Sequence, residues 1–123
     1  MQIHQSAEDY LETILMLTQR MGRVRSIDVV NELGYTKASV SIAMKKLREN
    51  GYIAVDGEGN LTLLGPGREI AERIYSRHRL LTHFFVQLGV EEDIAAEDAC
   101  KAEHILSEQT LEKIREYACL LYT

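Results

Sequence analysis

Tyr10, Leu11, Ile14, Leu15 and Leu17 recur at the three-to-four-residue spacing that lines up side chains on one face of a helix. Ser6 can cap such a helix and Gly22 can end it, so a first helix is expected from Ser6 to about Met21. Ile27, Val30 and Leu33 form a shorter stripe, capped by Ser26 and stopped at Gly34. Val40, Ala43, Met44 and Leu47 form a third, capped by Thr36 and running from about Lys37 to Asn50. Helix, brief glycine-containing turn, helix is the helix-turn-helix arrangement. The periodicity then changes. Residues 52–55 and 61–64 are short β-prone runs joined by Asp56-Gly57-Glu58-Gly59-Asn60, which predicts a small hairpin. A hairpin directly after the third helix is a wing.

Gly65-Pro66 opens a long helix, because proline suits the first helical turn. Its stripe is Ile70, Ile74, His78, Leu81, Phe85 and Leu88, and Gly89 breaks it. A fifth helix is expected over roughly residues 92–106, and Ser107 caps a sixth that carries Leu111, Ile114, Ala118 and Leu121. The last two helices are too small to close a core of their own. Stripes of this kind pair with a second subunit. The expected fold is mainly α: a winged helix-turn-helix over residues 1–65, then a helical dimerisation domain over residues 66–123.

Composition narrows the class. At 123 residues the chain is one domain, or one small domain with an appendage, and 46% apolar residues suffice for a packed core. No stretch approaches the roughly 20 apolar residues that span a bilayer. The N-terminus lacks the basic and apolar regions of a secretory signal, and two cysteines make no disulfide framework, so a cytoplasmic protein is expected. The net charge of −5 looks wrong for a nucleic-acid binder until it is split. Residues 20–50 hold seven Lys/Arg against three acids, whereas residues 85–123 hold three against nine acids. One end offers a basic face to nucleic acid, and the acidic end does something else.

Cys100, Glu103 and His104 stand at i, i+3 and i+4, which puts a thiol, a carboxyl and an imidazole on one helix face. Divalent transition metals take these groups. Asp9 and Glu12 form an i, i+3 acidic pair near the N-terminus, and His78 lies on the long apolar stripe. Each has a blander explanation. Acids favour the start of a helix dipole, a histidine on an apolar stripe is usually core, and a lone cysteine is usually a small buried hydrophobe. Their conjunction favours a metal site assembled by folding from three helices. Cys119 has no ligand at helical spacing and reads as core or dimer interface, and His4 and His83 receive no role.

The segments SAEDYLETILML, TKASVSIAMKKLRENGYI, LTLLGPGREIAERIYSRHRLL and EDACKAEHILS resemble the metal-dependent repressors of the diphtheria-toxin-repressor and manganese-transport-regulator family. The resemblance runs from about Ser6 to Thr123. It implies a homodimeric winged-helix repressor that binds a palindromic operator when loaded with Fe2+ or Mn2+, in a short form without the SH3-like domain of longer members. Other divalent transition metals are expected to substitute in vitro. By the same resemblance Asp9, Glu12 and His78 match ligands of the manganese branch, and Glu103 and His104 match ligands used throughout. Cys100 matches the cysteine of the iron branch, so the chain is a hybrid. Thr82 and Ala96 stand where that branch has an acid and a histidine.

On the third helix, Lys37, Ala38, Ser39 and Ser41 occupy the end that points at base edges in helix-turn-helix docking, next to the cap Thr36. None offers the bidentate code of Arg or Gln, and Ile42 stands where the iron branch has a glutamine. Lys37, Lys45, Lys46 and Arg25 suit phosphate. Two rival functions are a metal-independent winged-helix regulator sensing oxidants or a small molecule through Cys100, and a helical-bundle metalloenzyme. The second would need a substrate pocket and a general base that the sequence does not supply.

Overall fold

The computed structural model describes residues 5–121, with side chains through Ala118. The order is α1 (Gln5–Met21), α2 (Ser26–Leu33), α3 (Lys37–Glu49), β1 (Ile53–Val55), β2 (Leu61–Leu63), α4 (Gly65–Gln87), α5 (Glu92–Ala102) and α6 (Glu108–Leu121). The chain divides into two compact units between Arg73 and Ile74, within α4. The expectations for His4 and for the Leu121 and Cys119 side chains lie outside the described residues.

In the first unit α1, α2 and α3 pack together and the hairpin closes one side, with α1 against β2 and α3 against β1. Leu11, Ile14, Leu17, Val24, Val29, Val40 and Ile53 are almost wholly buried. Each large apolar side chain so buried contributes about 1.5–3 kcal/mol before chain entropy is counted. Thr36 Oγ1 accepts from the Ser39 amide at 3.1 Å, the cap the sequence predicts. Gly34 ends α2 in left-handed backbone (φ 71°).

The two strands pair antiparallel, Ile53 opposite Leu63 and Val55 opposite Leu61. Asp56 organises the turn between them. Its carboxyl accepts from the Glu58 and Asn60 amides, both at 2.9 Å, and from Asn60 Nδ2 at 3.0 Å. These bonds, those to Asn60 first, hold the Asp56 carboxyl below its ordinary pKa. Where α4 starts, Gly67 leaves no room for a side chain, because a Cβ there would stand 2.1 Å from the Tyr52 carbonyl oxygen.

The second unit has a smaller core: Leu81, Ala99 and Leu111, joined by half-buried Leu80, Phe85, Ala102, Leu106 and Ile114. Ser107 caps α6 by accepting from the Thr110 amide at 3.1 Å. Phe84 and Tyr117 meet edge to face at 5.9 Å.

Four local expectations need correction. α1 already includes Gln5, so Ser6 is a first-turn residue and not the cap. α2 begins at Ser26 itself. Its first turn is closed by Asp28, whose carboxyl accepts from the Arg25 amide at 2.8 Å. Val29 is the buried residue of α2, and Ile27 is exposed. α5 ends at Ala102, four residues early, because the chain tightens into an Ile105-to-Ala102 turn before Ser107 starts α6.

Candidate metal centre and nucleic-acid interface

In the second unit, α4 carries His78 and the turn between α5 and α6 carries Glu103 and His104. Glu103 is the cap residue of α5 and is completely buried. Its Oε2 lies 3.0 Å from His78 Nδ1, and its Oε1 lies 3.4 Å from His104 Nε2. The His104 imidazole is only 2% exposed. When His78 Nδ1–H donates to this carboxyl, Nε2 keeps its lone pair for another partner. A buried carboxyl between two imidazoles is an expensive arrangement for an apolar interior, and it needs full satisfaction. Among the described residues Glu103 Oε1 accepts no hydrogen bond. An oxygen in that state beside two imidazoles fits the mixed oxygen and nitrogen set of a divalent first-row ion.

Glu103 follows Cys100 by one turn and caps α5, its amide still bonded to the Ala99 carbonyl at 2.9 Å. Cys100 lies within α5 and is exposed, whereas Glu103 and His104 follow in the turn and point inward. Glu103 and the thiol therefore occupy different environments. Sequence reading passed over Arg77. Its Nη1 donates to the Glu103 carbonyl at 3.2 Å, and its Nη2 pairs with the Glu108 carboxyl at the start of α6. The signal available was only its position next to His78.

In the first unit Asp9 is half-buried and Glu12 is buried, one turn apart on α1. Asp9 also helps to raise the pKa of the Tyr10 phenol, after burial and the neighbouring Tyr35 ring. A buried acid on a stripe of Leu11, Ile14 and Leu15 is not explained by a helix dipole, which acts on exposed first-turn residues as well.

The outward side of α3 has the composition that nucleic acid favours. Lys37, Ala38, Ser39, Ser41, Lys45 and Lys46 are all exposed, as is the cap Thr36. Ile42 joins them at 58% exposure, an apolar residue set among lysines. Arg25 is exposed too, but its guanidinium is engaged: Nε donates to the Glu58 carbonyl at 2.9 Å, and Nη2 reaches the same oxygen. Through this bond, and the bridge between residues 25 and 60, Arg25 holds the tip of the wing.

Two family models cover almost the whole chain. The iron-dependent repressor N-terminal DNA-binding domain matches residues 2–61, and the iron-dependent repressor metal-binding and dimerisation domain matches residues 65–118. The chain belongs to the iron-dependent repressor family. It is thus a DNA-binding regulator and not an enzyme. An HTH-type transcriptional regulator of Methanocaldococcus jannaschii is 34% identical over 113 residues, 90% of each chain. The HTH-type transcriptional regulator MntR of Bacillus subtilis is 33% identical over 109 residues, 89% of this chain and 77% of the relative. A solved manganese-dependent transcriptional repressor in complex with manganese is similar at TM-score 0.82 and 29% identity, over 90% of this chain and 51% of that one. This iron-dependent repressor chain spans about half the length of that solved repressor and of several others it matches.

Proposed function

We propose that this protein is a cytoplasmic metal-dependent transcriptional repressor that binds a palindromic operator as a homodimer when loaded with Fe2+ or Mn2+. The observation that carries the reading is the completely buried Glu103 between His78 and His104, in the segment matched by the metal-binding and dimerisation model. We assign metal binding to Asp9, Glu12, His78, Cys100, Glu103 and His104, and leave open whether they hold one ion or two. The ion supplies positive charge that lets carboxyl groups gather. The residues do the rest. With ligands contributed by both units, loading restricts their relative motion and so the spacing of the two α3 helices in a dimer, which must match half-sites about one DNA turn apart. By linkage, operator DNA tightens metal binding by the same factor.

For DNA we assign base contacts to Ala38, Ser39 and Ser41, and phosphate contacts to Thr36, Lys37, Lys45 and Lys46. Arg25 joins them beside the tip of the wing. No helix among the described residues is long and apolar enough to cross a membrane.

A thiolate at position 100 favours Fe2+ over the harder Mn2+, whereas Asp9 and Glu12 supply hard oxygens, so the balance tips only slightly to Fe2+. The test is anaerobic titration of each ion against labelled duplexes that the loaded protein selects from a random library. Metal-dependent binding, with Cys100→Glu shifting activation towards Mn2+, supports the reading. Equal binding with and without any metal overturns it.

A further inference from the structure

We infer that Arg77 is a positioning residue for the metal centre, and that Glu108 is its counter-charge. This rests on the metal-binding reading above and adds to it a group that is no ligand. The main chain and side chain of Glu103 are held separately. His78 takes the carboxyl at 3.0 Å, and Arg77 takes the carbonyl of the same residue at 3.2 Å. Arg77 and His78 are consecutive on α4, so one turn of that helix grips the residue at both points.

The two contacts have different fates. The His78–Glu103 hydrogen bond engages a carboxyl that a cation would draw to itself, so loading would loosen or exchange it. The Arg77 contact uses a main-chain oxygen and persists. It keeps the turn from Glu103 to Ser107, and with it the His104 imidazole, from relaxing when the side-chain contact is given up. The turn needs that help, because it lies past the end of α5.

An arginine beside a cation site is also a liability, since like charges repel over this range. Glu108 answers it. Its carboxyl pairs with Arg77 Nη2 from the first residue of α6, where an acid also suits the helix dipole. The Arg77 side chain is 14% exposed and that of Glu108 is 77% exposed. An ion pair so open to water adds little to folding stability. Its main effect is to orient and neutralise the guanidinium.

The test uses the full chain and measures Mn2+ affinity by calorimetry, the visible spectrum of the Co2+ form, and the melting temperature without metal. Arg77→Ala is expected to weaken Mn2+ binding by about tenfold or more, the usual scale for groups that orient ligands. The Co2+ spectrum should change, and metal-free melting should stay close to wild type. Arg77→Lys should recover part of the affinity. Glu108→Gln should weaken binding, and adding it to Arg77→Ala should cost nothing further, the non-additivity of a coupled pair. Unchanged Mn2+ affinity in Arg77→Ala overturns the inference. So does a loss that only tracks lowered metal-free melting. If Arg77→Ala fails to fold, Arg77→Lys and Glu108→Gln decide, and wild-type affinity in both overturns it. A wild-type protein that binds neither ion overturns the metal reading itself, a result separable from all of these.

Discussion

The two units of the chain bury different things. In the first, Leu11, Ile14, Leu17, Val24, Val29, Val40 and Ile53 are nearly or wholly inaccessible, a dense core of large aliphatic side chains. In the second, Leu81 and Leu111 share the interior with small alanines at 95 and 99 and with a fully buried Glu103. Both units leave large apolar groups outside, among them Ile27, Tyr35 and Ile42 in the first and Val86, Leu88, Ile94, Ile105 and Tyr117 in the second. The first unit is sustained by its own packing. The second gives up interior volume to a carboxyl set between two imidazoles, as expected of a region completed by an ion.

Core truncation is the strongest way to break that contrast. Ile14→Ala should cost about 4 kcal/mol in the metal-free protein, and Leu111→Ala about 2 kcal/mol, because its half-buried neighbours Leu80, Phe85 and Ile114 can close over the gap. Denaturant melts of the two variants would show it, and a larger loss at Leu111 would erase the distinction. His104→Ala should act the other way round. Metal-dependent operator binding falls about a hundredfold, while the metal-free melt of the winged unit is unchanged. Anisotropy titrations with and without Mn2+, beside melting curves, would separate the two effects.

A smaller effect concerns the first unit alone. Lys46→Ala should weaken all duplexes about equally and reduce the slope of log affinity against log salt by about 1. A change in sequence preference with the slope intact would move Lys46 from phosphate to base. The smallest effect is a pH response at the wing. Asp56 has a lowered pKa in the folded turn, so its stabilising bonds are present above about pH 3.8 and are lost as pH falls through the folded value. Protection of the Glu58 and Asn60 amides, measured relative to their intrinsic exchange rates, should therefore fall in acid, and Asp56→Ala should show low protection at every pH.

Much of this was legible in the sequence, for identifiable reasons. The α1 stripe, Gly34, Thr36, the hairpin and the Ser107 cap are signalled by local chemistry that acts within a few residues. The end of α5 was not. Nothing in Ala102-Glu103-His104 resists helix, and the stop comes from the turn that Ser107 and α6 require. Ile27 and Val29 changed places because spacing defines candidate faces but does not say which one of a short helix turns towards α1 and α3. Leu88 extends the periodicity of α4 but is 62% exposed, because periodicity alone cannot say where the covering element stops. The chemistry of the second unit was visible as residue types, yet the placement of Cys100 outside and Glu103 inside depends on that unseen helix end. Arg77 gave no signal beyond its place next to His78, since its partners are a carbonyl and a residue on α6.

The missing carbon at Gly67 has a consequence for how this sequence can drift. Its backbone is ordinary, so what excludes other residues is the Tyr52 carbonyl, a main-chain atom that no rotamer change can move aside. Size, charge and polarity of the replacement should therefore be irrelevant, and a saturation library at this codon should return one survivor. Gly57 and Gly65 have open space around them and should accept many residues. Three glycines within eleven positions would then record quite different mutational histories, and only the middle of α4's first turn would look frozen.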